Sequence, residues 1–163
     1  MPTVRLSFSP APAHVRTARL VAVAVARRAG VADELLEEIR LAIGEACSRA
    51  VALHRSHDVE HLIDVAMEDG ERFTVRVIDR VANSSGAAAA VADPASLLED
   101  PPLGLSEAPT VELSAMAEEA VAAKMGLALL AGLVDDLEVA TVADGLGTEV
   151  TMSWPVSRKP TDA

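Results

Sequence analysis

The sequence is poor in cysteine and in positive charge. Cys47 is its only cysteine, so no internal disulfide can form, and a lone thiol suits a reducing cytoplasm. Against 25 acidic residues stand 14 lysines and arginines, and the resulting net charge of -11 argues against a nucleic-acid-binding surface. Residues 1–14 contain no apolar signal segment, and the apolar runs are too short and too rich in alanine to span a bilayer. The sequence therefore predicts a cytoplasmic protein without nucleic-acid or membrane partners.

Length and composition predict one folded domain. The chain has 163 residues, of which 50% are hydrophobic, and this is enough to build a core. We place the domain at residues 1–156 and predict a disordered tail at 157–163. Residues 81–112 are rich in alanine, proline, serine and glycine, and contain five acidic residues but no lysine or arginine. This composition predicts a mobile, lid-like insertion within the domain.

The hydrophobic pattern predicts an α+β fold. Apolar and polar residues alternate in segments typical of strands, whereas apolar residues recur at threes and fours in segments typical of helices. Asp69-Gly70 and the glycines at 145 and 147 predict hairpins between neighbouring strands. The predicted order is strand 3–10, helices 11–30 and 32–54, strands 59–69 and 71–80, helix 113–134, and two strands within 137–156. We expect a two-layer sandwich with a mixed, mainly antiparallel sheet that helices cover on one face.

Two charged residues stand one turn apart on the second predicted helix. Glu45 precedes Arg49 by four residues, in the segment IRLAIGEACSRAVALH. This order favours an ion pair along the helix, worth about 0.2–0.5 kcal/mol. Three histidines that follow (His54, His57 and His61) indicate the end of that helix and a loop, and only weakly a zinc site.

Positive charge collects at the start of the chain. Residues 1–32 contain five arginines and no acidic residue. Arg16, Arg19 and Arg27 fall near one face of the first predicted helix. This face is either an ordinary solvated surface or a docking surface for an acidic protein partner.

Four segments, taken in order, resemble a known family. They are EIRLAIGEACSRAV, VRVIDR, MGLALLAGLVDDLEV and GTEVTMSWP. Together they resemble the anti-sigma factors and serine-protein kinases of the GHKL (Bergerat-fold) ATPases, the RsbW/SpoIIAB-like group, in a degenerate form found in actinobacteria. The resemblance covers about residues 3–156. It implies the Bergerat fold, in which helices cover one face of the sheet.

The resemblance also gives meaning to Glu45 and Arg49. In the family, a glutamate that polarises the nucleophile of phosphoryl transfer is followed four residues later by an asparagine that binds Mg²⁺. Glu45 matches this catalytic glutamate, but Arg49 stands in the asparagine position. A guanidinium carries only donors and cannot bind Mg²⁺. Arg49 is therefore expected either to contact a phosphate directly or, as we favour, to pair with Glu45.

The other nucleotide-binding positions are partly kept. By resemblance, Asp79 would accept a hydrogen bond from the adenine amino group, and Thr148 belongs to the Gly-Thr pair before the last strand. Val81 and Asn83 replace two glycines of the family, and a β-branched side chain at Val81 would crowd a nucleotide. In the glycine-rich segment that meets the phosphates, the chain keeps Gly126 but has Lys124 at another glycine position, where it would contact phosphate or lie on a solvated helix face.

The resemblance implies a regulatory function. We expect a protein that binds a sigma factor, an anti-anti-sigma protein or both, and whose ATP binding is weak or lost and is not supported by Mg²⁺. One alternative is an active serine/threonine kinase in which Arg49 supplies the charge of the metal. Another is a non-catalytic adaptor outside sigma control. Relatives are often homodimers, and the resemblance extends that expectation to this chain.

Overall fold

The computed structural model describes residues 2–82, 125–143 and 145–157. Lys124, Asn83 and most of the predicted insertion lie outside these residues, so the expectations about them stay predictions. The elements are β1 (Thr3–Phe8), α1 (Pro12–Ala29), α2 (Asp33–Ser56), β2 (Ile63–Asp69), β3 (Arg72–Ile78), α3 (residues 125–133), β4 (Asp136–Thr141) and β5 (Thr148–Pro155).

The described strands form one five-stranded sheet. Their order is β1-β2-β3-β5-β4, and every neighbouring pair is antiparallel. Successive residues of a strand point to opposite faces, so one face of β2, β3 and β5 is buried and the other is half-exposed. The helices supply the remainder of the core against the buried face. The predicted α+β sandwich is therefore confirmed.

The two long helices follow from their sequences. Pro12 begins α1 with a φ suited to a first helical turn, and Gly30 ends it in the left-handed conformation. In α2, Ala32 rather than Asp33 is the N-cap residue, and Asp33 and Glu34 lie in the first turn, where the helix dipole favours acids. No described helix combines the length and the apolar character that crossing a bilayer requires.

The buried side of α1 is a row of small residues. Ala18, Ala22 and Ala26 of α1 are fully buried, and small side chains let the backbones of neighbouring elements approach closely. At the other end of the core, the indole nitrogen of Trp154 donates to Glu38 of α2 at 2.8 Å. This bond joins the last strand to the helix layer.

The face of the sheet that no described helix covers is polar, and its charged side chains pair with one another. Arg76 contacts Glu68 at 2.9 Å and Glu149 at 3.9 Å, and Arg80 contacts Asp64 at 3.3 Å. These side chains are all between 34% and 39% exposed. Solvent therefore screens each pair, and each pair contributes little to stability. The pairs give this face no large region of one charge.

Gly147 allows two strand ends to approach closely. Its φ is +154°, and a Cβ at this position would overlap the carbonyl oxygen of Asp79. The amide of Asp79 in turn donates to the carbonyl of Thr148 at 3.0 Å. Only glycine fits the backbone and the space at this position.

We expect Gly147→Ala to lower the free energy of unfolding by about 2–3 kcal/mol, because strained backbone and overlap with Asp79 add together. Gly132→Ala is the matched control. Gly132 is exposed on α3 with no atom near its missing Cβ, so this change should raise stability by up to about 1 kcal/mol. Urea denaturation of both variants measures the difference, and equal midpoints would contradict the close approach.

Candidate functional site

The site is built around the carboxylate of Asp79, directly after β3. Asp79 is 1% exposed. Its Oδ1 accepts hydrogen bonds from the amides of Val81 and Thr148 at 3.2 and 3.3 Å. Its Oδ2 accepts from Nη1 of Arg49 at 3.1 Å. Both oxygens are therefore engaged by the protein itself.

Arg49 pairs with Asp79 and not with Glu45, so the predicted ion pair along α2 is wrong. The side chains of Arg49 and Asp79 are only 3% and 1% exposed. A buried guanidinium needs a buried counter-charge, and Glu45 is half-exposed whereas Asp79 lies in the interior. Burial lowers the pKa of Arg49, and the neighbouring carboxylate of Asp79 opposes this change. Arg49 stays charged, because arginine keeps its proton in proteins.

Glu45 lies against α3 instead. A Cβ at Gly126 would come within 2.7 Å of Oε1 of Glu45 and 3.7 Å of the Cβ of Arg49. The absence of a side chain at Gly126 therefore makes room for the Glu45 carboxylate. Among the described residues, that carboxylate has no hydrogen-bond or salt-bridge partner. Glu45 and Gly126, predicted separately from the sequence, are thus brought together.

Thr148 joins the same cluster. Thr148 is 1% exposed. Its amide donates a hydrogen bond to the carboxylate of Asp79, and its carbonyl accepts one from the amide of Asp79. The start of β5 is thereby held against the end of β3. Of the predicted nucleotide-binding residues, Arg49 and Thr148 each contact Asp79, and Lys124 lies outside the described residues.

His54 is a buried member of this cluster that sequence reasoning did not identify. Its Nε2 accepts a hydrogen bond from the amide of Arg80 at 2.9 Å, directly beyond Asp79. Burial lowers its pKa, against the opposing effects of the Asp79 charge and of the backbone carbonyls of His61 and Val59. Histidines are common in the last turn of helices, so the sequence indicated only the end of α2 at His54 and not its contact with Arg80.

Among the described residues, the histidines belong to no cluster that could hold a metal ion. Within residues 2–82, 125–143 and 145–157, no three His, Cys, Asp or Glu side chains are placed to hold a metal ion. His57 is exposed and contacts Ser56 and the carbonyl of Leu53. It takes no part in the hydrogen bond that His54 accepts from Arg80.

The three arginines predicted to bind a partner do not share one surface. Arg16 and Arg27 are exposed on α1, but Arg19 is half-buried and turns toward α2. Its Cδ lies 2.9 Å from the position of a Cβ on Gly44.

Burial raises the pKa of nearby Cys47 to about 12, and the charge of Arg19 opposes this change. The thiol therefore stays protonated and packs as an apolar group.

The Arg49–Asp79 pair predicts strong coupling between the two positions. Arg49→Met and Asp79→Asn should each lower the free energy of unfolding by about 3–5 kcal/mol, because each leaves an uncompensated buried group. The double variant should lose less than the sum, by about 1–3 kcal/mol. Arg40→Met is the control: Arg40 pairs with Glu37 where the side chains are 44% and 77% exposed, so its loss should stay below about 1 kcal/mol. Strictly additive effects in urea denaturation would count against the pair.

The lowered pKa of His54 predicts a loss of stability in acid. The fold favours the neutral ring, so protons bind the unfolded chain more readily, and stability falls as the pH drops below the ordinary pKa of about 6.5. Chemical denaturation between about pH 7 and 5 should give a shallower decline for His54→Gln than for the unaltered protein. The exposed His57 supplies the control, since His57→Gln should keep the full decline. Identical pH profiles for all three proteins would refute the role of His54.

Comparison with known proteins places this arrangement in a family. The sequence pattern of the histidine kinase-like ATPase domain matches residues 8–154, which include both long helices, β2, β3, β4, nearly all of β5 and the Asp79 cluster. A search of curated proteins finds no match. The match extends over far more than half of the chain and agrees with the five-stranded sheet and its helices. The chain belongs to the histidine kinase-like ATPase domain family.

Proposed function

We propose that this protein is a cytoplasmic anti-sigma regulator, which binds a sigma factor or an anti-anti-sigma protein by partner exchange and makes little or no use of ATP. The observation that carries the proposal is the buried pair of Arg49 and Asp79. The pair is an internal contact at the positions where the family's nucleotide would be held. A member that has lost nucleotide chemistry retains binding as its means of action.

The residues present do not fit Mg·ATP in this arrangement. Both Asp79 oxygens are already engaged, and Val81 is buried where the family has a glycine. To reach Asp79, a nucleotide would have to displace Arg49, at a cost of about 3–5 kcal/mol for an unpaired buried charge. That cost weakens affinity by roughly 10²–10³-fold or more. Arg49 also offers Mg²⁺ no lone pair.

The charge of α1 supports a protein partner. Arg16 and Arg27 are exposed, and the first 32 residues contain no acid to neutralise them. Such a surface steers an acidic partner to the protein, and salt screens this attraction within about 8–10 Å. Arg19, which packs on α2, contributes less to this surface.

Glu45 supports a second candidate, an active serine/threonine kinase. Its carboxylate is half-exposed and has no partner among the described residues, so it is available to accept a proton. In that case Arg49 would have to release Asp79 when nucleotide binds, and its guanidinium would supply the charge of the metal. A non-catalytic adaptor outside sigma control would use the same α1 surface for a different acidic protein.

One binding experiment separates these functions. Purified sigma factors and anti-anti-sigma proteins are passed over the immobilised protein at two ionic strengths, with and without Mg·ATP, while calorimetry measures ATP binding directly. We expect capture of at least one partner, faster association at low salt, and no effect of Mg·ATP. Arg16→Glu should slow association, whereas Arg55→Glu, an exposed arginine on α2, should not.

Other outcomes point elsewhere. Micromolar, Mg²⁺-dependent ATP binding would favour the kinase, and Glu45→Gln should then abolish phosphoryl transfer to the antagonist. Failure to capture any sigma factor or antagonist would favour the adaptor.

A further inference from the structure

β1 lies at an edge of the sheet and pairs with only one other described strand, β2. Along an antiparallel pair, residues that exchange backbone hydrogen bonds alternate with residues whose N–H and C=O point away. The amide of Asp69 donates to the carbonyl of Pro2 in the register that β1 and β2 share, so Pro2 is one of the bonded residues. The backbone groups that point away from β2 therefore belong to Thr3, Arg5 and Ser7. Such an edge is a template for a further strand.

A cavity of about 370 Å³ opens beside this edge. It is lined by residues 6–9, by His14 and Thr17 of α1, and by Leu62, which is 51% exposed. The cavity lies on the helix side of the sheet, because two of its walls come from α1 and from strand residues that pack on the core. Ligand pockets measure about 300–1,000 Å³, so this cavity is large enough for one or two side chains.

The other face of the same edge carries an arginine. Arg5 is exposed and lies opposite Ala66 of β2. The two acids that flank Ala66, Asp64 and Glu68, already pair with other arginines. Arg5 takes part in no salt bridge among the described residues, so its charge favours a carboxylate on a neighbouring strand.

We propose that β1 and the cavity together bind an extended segment of a partner protein, which adds to the sheet as a further antiparallel strand. Successive side chains of such a segment alternate between the two faces of the sheet. Those on the helix side enter the cavity and are apolar, and those on the other side lie beside Arg5 and are acidic. Backbone bonds to the edge supply affinity, and the cavity supplies specificity.

The site is called the β1 groove below and consists of the outward edge of Thr3, Arg5 and Ser7 together with the cavity. It is additional to the proposed function, because it concerns the form of the bound segment and not the protein that carries it. A second copy of the chain suits the groove less well. Two β1 strands in the register that uses all three edge residues would place Arg5 opposite the same arginine of the copy, and like charges directly opposite destabilise a pair.

The probes are capped synthetic peptides of about eight residues, which cover the six residues of β1 at about 3.4 Å per residue. In one peptide glutamate and leucine alternate. In the other the same residues are arranged in pairs, so that neither side of an extended chain is apolar. Calorimetry and amide chemical shifts of the labelled full-length protein measure binding. We expect the alternating peptide to bind more tightly, with shifts centred on residues 3–9, His14, Thr17 and Leu62.

Methylated peptide amides test the backbone pairing. In antiparallel addition, the glutamates lie opposite Arg5 and Ser7 and exchange hydrogen bonds with them, whereas the leucine amides point to solvent. Methylation of the central glutamate amides should weaken binding about tenfold or more, and methylation of the central leucine amides by less than about twofold. Equal effects of the two methylations, or a larger effect at the leucines, would overturn the proposal.

Two substitutions at Ser7 test the edge from the side of the protein. Ser7→Pro removes an N–H that points away from β2, and proline is tolerated at such positions of an edge strand. Ser7→Ala is the matched control, because it also loses the hydroxyl bond to Asp64 but keeps the amide. We expect Ser7→Pro to weaken binding about tenfold and Ser7→Ala by less than about twofold.

A substitution at Thr17 tests the cavity. Thr17 is an exposed residue of the cavity wall, so Thr17→Phe should fill the cavity without disturbing the core and should weaken binding about tenfold or more. Ala24→Phe is the control, because Ala24 is exposed two turns further along α1 and does not line the cavity. Circular dichroism and urea midpoints confirm that each variant is folded.

The remaining outcomes are decisive in the other direction. Equal binding of both peptides, no binding, or binding that ignores Ser7→Pro and Thr17→Phe would overturn the proposal. Sedimentation of the protein alone is also measured, and self-association that Ser7→Pro abolishes while Ser7→Ala retains would overturn it in favour of a second copy of the chain. Capture of a sigma factor by a protein that binds neither peptide would refute the β1 groove alone. Specific binding of the alternating peptide without capture of any sigma factor or antagonist would support the groove and refute the anti-sigma function alone.

Discussion

The ion pair between Arg49 and Asp79 is the contact on which the centre of this structure depends. Two opposite charges, almost fully buried, can remain there only because each compensates the other. The pair connects α2 to the end of β3, and the same carboxylate holds the start of β5 through the amide of Thr148. Three elements that are distant in sequence therefore meet at one side chain.

The Arg49–Asp79 pair stabilises the folded chain from within, as a bound ligand often does from outside. A ligand stabilises a folded protein by binding only the folded form, and its effect depends on its concentration. A guanidinium carried on α2 is always present and contributes at any ligand concentration. Its neighbour His54, which accepts from the amide of Arg80, extends the same internal arrangement by one residue. The proposal of a regulator that acts without nucleotide is consistent with a carboxylate that the protein itself engages at both oxygens.

The sequence was sufficient for the fold but not for the partners of its charges. Periodicity predicted both long helices, the β2–β3 hairpin and the helix-covered sheet, since these depend on local spacing and on which residues are apolar. It could not identify the partner of Arg49, because Asp79 lies thirty residues away and only the packing of α2 on the sheet brings them together. It also could not separate Arg19 from Arg16, because the contact with Gly44 depends on how α1 crosses α2. Asp79, Gly126 and Thr148, which the resemblance assigns to one nucleotide site, lie close together in the structure, and their role in binding a nucleotide stays a prediction.

The mutual dependence of Arg49 and Asp79 also limits how this protein can change over generations. A typical domain is stable by only about 5–15 kcal/mol, and losing one member of a buried pair removes about 3–5 kcal/mol of that. A single substitution of Arg49 by an uncharged residue would therefore produce a weakened intermediate unless residue 79 changed with it. Once both residues are in place, selection for folding alone keeps each of them for as long as the other is present.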